Sequence, residues 1–214
     1  MSKPRIEILI VDDDPSLRQL LTLVLTKSGY AVRSAQDGFS ALAAIRTAVP
    51  DILLSDLYMP GMSGFELLSV VRRRFPLIPV IAMSSAYSGS GVPAGIAADA
   101  FYEKATDLHD LLNRLGDMGK PRVGQPEPHR DASSPVWIAR TADGSDATQI
   151  ALVCPECMRT FFEVLGDSAH VIREAGCLYC STRIKYALVR PAGFAACEAH
   201  RPSVVDHTRM PSAA

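Results

Sequence analysis

Three short apolar runs, each ending in side chains that can do chemistry, constrain this chain more than any other feature. Ile8–Val11 runs into Asp12, Asp13 and Asp14; Ile52–Leu54 runs into Ser55 and Asp56; Val80–Met83 runs into Ser84. Continuous β-branched and aliphatic runs of this length suit strands buried on both faces of a parallel sheet. Between them, apolar residues recur at helical spacing: Leu17, Leu20, Leu21 and Val24; Ala41, Leu42 and Ile45; Phe65, Leu68 and Val71. Asp14 with Pro15, and Ser63 with Glu66, are helix starts, and Gly29 is a helix stop. Tyr30–Arg33 and Phe101–Glu103 read as two further short strands, the second followed by Lys104. Strands alternating with helices predict an α/β fold, a parallel sheet with helices on both faces. Ligands in such sheets bind beyond the carboxyl ends of the strands. Asp12, Asp13, Asp56, Ser84 and Lys104 are therefore expected on one rim. A lone Asp after an apolar run is usually a cap, so the argument rests on the set. Clustered carboxylates repel, and Mg2+ relieves them while keeping waters for a phosphate donor.

Val11–Asp14 as VDDD, D-x-x-MPGMSG at 56–64, the hydroxyl of Ser84 and the ammonium of Lys104 occur in order. With these residues, positions 5 to about 118 resemble a response-regulator receiver domain, the phospho-acceptor module of two-component signalling. The resemblance implies a flavodoxin-like, doubly wound, five-stranded parallel sheet in the order 2-1-3-4-5. It implies phosphorylation of Asp56, with Mg2+ held by Asp12, Asp13, Asp56 and the backbone carbonyl of Tyr58. Ser84 and Lys104 would bind the phosphoryl oxygens, and Phe101 would be the aromatic that changes rotamer. A sensor histidine kinase or phosphotransfer protein would be the donor.

Two features depart from that family. Gly89, Gly91, Pro93 and Gly95 fall where its fourth helix begins. Glycine costs about 1 kcal/mol and proline about 3 in a helix interior, so a long loop is expected, with at most a short helix over 93–98. Lys104 precedes Ala105 where the family has proline, so a trans bond is expected there. A last helix is expected over 107–116, with Leu108, Leu111, Leu112 and Leu115 inward. Arg72, Arg73 and Arg74 read as a solvated last turn that complements a helix dipole.

Residues 119–135 contain four prolines and two glycines with no apolar stripe, and read as a flexible linker. The units on either side, 1–118 and 136–190, are then not obliged to pack together. The second carries Cys154-x2-Cys157 and Cys177-x2-Cys180 with 19 residues between the pairs. Two such knuckles complete a tetrahedral tetrathiolate Zn2+ site, and strand-like segments at 150–153, 160–164, 170–173 and 183–189 surround them. This small β-rich unit resembles a zinc ribbon, although Met158 and Ser181 stand where such knuckles commonly carry glycine. His170 reads as a strand surface residue. Residues 191–214 are rich in Ala, Pro and Ser and are expected to be disordered. Cys197, with His200 three residues on, reads as an unpaired thiol.

Charge narrows the output. The chain has 22 basic and 23 acidic residues; 1–118 carry 11 and 13, and 119–214 carry 11 and 10. Neither half is basic enough for sequence-independent nucleic-acid binding. A downstream protein partner is favoured, and a transcription regulator binding nucleic acid through the ribbon is the alternative. No apolar run approaches a membrane span, and the N-terminus lacks a leader's apolar region, so a cytoplasmic protein with reduced cysteines is expected. A hydrolase of the haloacid-dehalogenase type resembles D-x-D, and Tyr58 stands at the second acid's position, so the chain reads as a regulator and not an enzyme. A phosphorylation-independent scaffold is the remaining alternative, separated by Mg2+-dependent labelling with acetyl phosphate.

Overall fold

The computed structural model describes residues 5–87, 96–104, 106–118, 134–137, 149–164 and 172–189. Strands β1 (Glu7–Val11), β2 (Ala31–Ala35), β3 (Ile52–Asp56), β4 (Val80–Ser84) and β5 (Ala100–Glu103) form one parallel sheet in the order β2-β1-β3-β4-β5. This is the expected 2-1-3-4-5 order. β3 and β4 are buried along their whole length. Register aligns their carboxyl ends: Asp56 lies opposite Met83, and Ser84 opposite Glu103.

Helices α1 (Pro15–Lys27), α2 (Gly38–Thr47), α3 (Gly64–Arg74) and α4 (Leu108–Met118) cover the two faces. Leu21, Leu25, Leu111 and Leu115 of α1 and α4 share a cluster with Ile8, Ile10, Ile52 and Ile81. Ala41, Leu42 and Ile45 of α2 and Leu67, Leu68 and Val71 of α3 pack with Leu9, Leu53 and Val80 on the other face. Strand residues alternate between the clusters, as the period of two requires. Capping fixes where helices start. Asp14 accepts from the N–H groups of Ser16 and Leu17, and Ser63 and Glu66 form the expected capping box. A second box, Asp37 with Ser40, went unread because serine is not the usual third-position partner.

Two expectations, on the arginine run and on the bounds of the last helix, need correction. The arginine run is not a solvated turn throughout: Arg73 is buried, and Arg72 pairs with Asp99 at 2.9 Å and bonds the carbonyl of Pro76. Only Arg74 is exposed, over the Phe75 ring at 5.5 Å. Residues 96–98, the described part of the short helix expected over 93–98, are not helical; 88–95 lie outside the described residues. Ala105 also lies outside them, and with it the peptide bond after Lys104. The last helix starts one residue later and runs two further than expected.

The C-terminal unit holds β6 (Ser134–Trp137), β7 (Gln149–Val153), β8 (Thr160–Val164), β9 (Ile172–Gly176) and β10 (Arg183–Val189). β9 pairs antiparallel with β10, β6 parallel with β10, and β7 antiparallel with β8. Ile150, Leu152, Phe161, Ala175, Ile184 and Tyr186 form its own small core with Cys154 and Cys177. β6 begins inside the stretch read as linker, and β9 sits two residues beyond its expected place. His170, residues 119–133 and residues 190–214, with Cys197 and His200, lie outside the described residues. The two units do meet. Val153 belongs to the cluster on the α3 face, Met158 packs against it, and β6 lies beside α3.

Candidate functional site

Four of the five strand ends deliver groups to the rim. β1 ends at Asp12, which is fully buried, with Asp13 exposed beside it. The Asp14 N–H holds one Asp12 oxygen at 2.9 Å, and Arg18 of α1 donates to the Asp12 carbonyl at 2.6 Å. β3 ends at buried Asp56, whose Oδ1 accepts from the Tyr58 N–H at 3.2 Å. β4 ends at Ser84, fully buried, with its Oγ accepting from the Ala86 N–H at 3.0 Å. β5 leads into Lys104, whose N–H bonds the Ser84 carbonyl at 2.9 Å. Its Nζ lies 2.6 Å from Asp56 Oδ2 and 2.8 Å from Asp12 Oδ2.

Glycine sets the path between Asp56 and α3. Gly61 turns at φ +76°, and a Cβ on Gly64 would lie 1.9 Å from the Asp56 carbonyl oxygen. Only glycine lets α3 start this close to β3. The Gly64 N–H bonds the Leu57 carbonyl at 3.0 Å, which ties the helix start to the strand end.

Electrostatics follow from burial and pairing. Burial pushes Asp56 above the ordinary carboxylate range; the hydrogen bond and charge of Lys104 and the Tyr58 N–H oppose this, and Asp12 reinforces it. Burial pulls Lys104 down, but Asp12 and Asp56 outweigh it and hold the ammonium above the usual lysine range. One ammonium thus answers two buried carboxylates. Oxygens of Asp12, Asp13 and Asp56 all lie within 4.8 Å of one another. This all-oxygen donor set with excess negative charge fits a hard dication such as Mg2+.

The remaining predicted residues sit close by. Phe101 is partly buried against the α3-face cluster. Tyr58 meets Phe65 edge-on, with ring centroids 5.9 Å apart, and its hydroxyl bonds that of Tyr87. Arg18 and Tyr87 were not singled out from the sequence, because their contacts depend on tertiary packing; Gly64 was legible as the last glycine of the D-x-x-MPGMSG motif.

In the C-terminal unit the four cysteines converge. Sγ atoms of Cys154 and Cys180 are 3.6 Å apart, those of Cys157 and Cys177 3.7 Å, and all four lie within 4.8 Å of one another. A tetrahedron with Zn–S of about 2.3 Å has edges of about 3.8 Å, so the donors fit the metal. The knuckles repeat one design. The first cysteine's N–H bonds the carbonyl five residues on, Arg159 or Thr182, and its carbonyl accepts from the N–H four residues on, Met158 or Ser181. Met158 and Ser181 adopt φ 53° and 60°, the left-handed conformation where glycine is common. Burial pushes the Cys154 thiol up, whereas the Thr182 side chain and backbone bring exposed Cys180 down to about 6.

Comparisons with known proteins agree with the N-terminal geometry. The DNA-binding response regulator MtrA of Mycolicibacterium smegmatis is 37% identical over 117 residues, which are 54% of this chain and 51% of that protein. The DNA-binding transcriptional regulator NtrC of Klebsiella pneumoniae is 45% identical over 76 residues, 36% of this chain and 16% of that protein. The chain spans about half or less of these curated relatives. The crystal structure of the Vibrio cholerae chemotaxis protein CheY4 superposes with a TM-score of 0.50 and 31% identity, covering 54% of this chain and 99% of that one. The family described as Response regulator receiver domain matches residues 8–115, and the chain belongs to it.

Proposed function

We propose that this protein accepts a phosphoryl group on Asp56 and passes the signal through its four-cysteine unit. The observation that carries the reading is the Lys104 ammonium bridging Asp56 and Asp12 at 2.6 and 2.8 Å on a rim of three carboxylates. A carboxylate oxygen of Asp56 bonds to phosphorus as the bond between phosphorus and its donor breaks. Asp12, Asp13, Asp56 and the Tyr58 carbonyl would hold Mg2+, which neutralises the phosphoryl oxygens when bound. Lys104 supplies a second positive charge and Ser84 a hydroxyl, so the chain's contribution is positioning and electrostatics. Phe101 follows Ser84 as the switch aromatic. The donor is a sensor histidine kinase or a phosphotransfer protein.

Cys154, Cys157, Cys177 and Cys180 hold a structural Zn2+ in this reading, and the unit they build docks a downstream protein. The names of MtrA and NtrC favour a second reading, in which the output is nucleic-acid binding. Acetyl phosphate with Mg2+ labels the wild-type protein in the first step and leaves Asp56→Asn unlabelled; equal labelling of both removes Asp56 from the role. Capture of a protein rather than a DNA shift by the phosphorylated chain decides between the two outputs.

A further inference from the structure

The two cysteine knuckles share one backbone design but not one environment. The first, 154–158, faces the receiver: Cys154 is fully buried, Val153 before it belongs to the α3-face cluster, and Met158 packs against that cluster. The second, 177–181, ends in water. Cys177 is 4% exposed, but Leu178 is 76% and Tyr179 53% exposed, and Cys180 and Ser181 are exposed with them. Arg159 holds its guanidinium over the Tyr179 ring at 5.2 Å, which brings a cation to the residue before Cys180. A purely structural tetrathiolate gains nothing from this asymmetry. Thiolate reactivity follows exposure and a nearby cation, whereas buried cysteines are inert. Cys180 Sγ also has a second sulfur in reach on the other knuckle, Cys154 Sγ at 3.6 Å.

We propose that the four-cysteine unit is an oxidant-sensing site, in which hydrogen peroxide modifies Cys180 first and Cys154 resolves the product. The inference rests on the Zn2+ reading of the four cysteines. The Cys180 thiolate attacks one peroxide oxygen; the O–O bond breaks, the sulfur is oxidised to a sulfenic acid, and the leaving hydroxide takes a proton as water. The Cys154 thiolate then attacks the Cys180 sulfur, and a second hydroxide leaves and is protonated. Two thiolates, one peroxide and two protons thus become one disulfide and two waters. The disulfide removes two of the four donors, so the site gives up its dication, and the fold that the metal supports goes with it. Val153 and Met158, on either side of the first pair, carry the change to the α3 face. Oxidation then reaches the receiver as an input separate from Asp56.

The test uses the full-length chain loaded with Zn2+, its metal content measured first. Hydrogen peroxide with dimedone should place the first adduct on Cys180; without dimedone it should give a disulfide between Cys154 and Cys180, mapped by mass spectrometry, as a colorimetric chelator takes up the released zinc. Cys180→His keeps a fourth donor but removes the nucleophile, and should slow peroxide-driven zinc release about tenfold. Cys157→His makes the same exchange at a less exposed ligand and should release zinc at close to the wild-type rate. Should either variant fail to hold zinc, the wild-type adduct map decides. Amide hydrogen exchange of 66–74 should rise in step with zinc release. A first adduct on another cysteine, or equal release from the two variants, overturns the sensing site and leaves the metal reading standing. Zinc release with unchanged exchange in 66–74 overturns the input to the receiver. A chain that takes up no zinc overturns the metal reading, and the sensing site with it.

Discussion

Replacing glycine by alanine at three positions should give three different outcomes from one chemical change. At Gly64 the new Cβ would lie 1.9 Å from the Asp56 carbonyl oxygen and 2.7 Å from Leu57 Cα, all backbone. That is about 1.4 Å inside the ~3.3 Å at which carbon and oxygen normally meet, so α3 or the end of β3 must shift. Overpacking costs about 1–3 kcal/mol, and a backbone obstacle belongs at the upper end; the helix propensity of alanine returns at most about 1. We expect a loss of about 2–3 kcal/mol, or roughly 10 °C in melting temperature for a domain near 110 residues. At Gly116, inside α4, nothing lies within 4 Å, so alanine should stabilise by about 1 kcal/mol. Gly29 also faces open space but sits at φ +95°, so alanine there should cost about 1 kcal/mol by strain alone. Urea unfolding gives all three, and acetyl phosphate labelling should slow in Gly64→Ala only. A Gly64→Ala protein as stable as wild type would refute the close approach of α3 to Asp56, and with it the mechanical link between them.

Other outcomes follow from the same geometry. In EDTA, Asp56→Asn should be more thermally stable than wild type near neutral pH, because burial raises the Asp56 pKa and its ionised form is penalised in the fold; the gap should close as pH falls and wild-type Asp56 takes up its proton, as melting curves across pH will show. Lys104→Ala leaves two buried carboxylates without their shared ammonium and should cost about 3 kcal/mol in metal-free buffer, read by chemical unfolding. Cys177→Ser should lose the bound zinc by metal analysis and unfold the C-terminal core; because Val153 and Met158 contact the α3 face, the receiver's melting temperature should fall slightly too.

The rim was legible because β1, β3 and β4 are continuous apolar runs ending in the reactive side chains, and a parallel sheet brings such ends together; the strand order came only with the resemblance to the receiver family. The four-cysteine centre was legible for a similar reason: spacing within each pair fixes a local knuckle whatever surrounds it. What stayed hidden depended on a second body. Leu67 and Val70 did not fit a single inward stripe, yet both are buried, since α2 and β6 flank the helix. Arg72 looked solvated because its partner, Asp99, is distant in sequence and arrives only with β5. The left-handed turn at Met158 and Ser181 was legible only as a position where glycine is common; neither residue type favours it, and the hydrogen bonds to Cys154 and Cys177 impose it.

The most direct measurement is to locate the phosphoryl group. The protein is treated with acetyl phosphate and Mg2+, reduced with borohydride to convert an acyl phosphate into homoserine, digested, and sequenced by mass spectrometry. The account predicts a single converted residue, at Asp56, that disappears when Mg2+ is withheld or Lys104 is replaced by Ala. Conversion at Asp12 or Asp13 with Asp56 unmodified, or no conversion while the sheet remains folded, would contradict it.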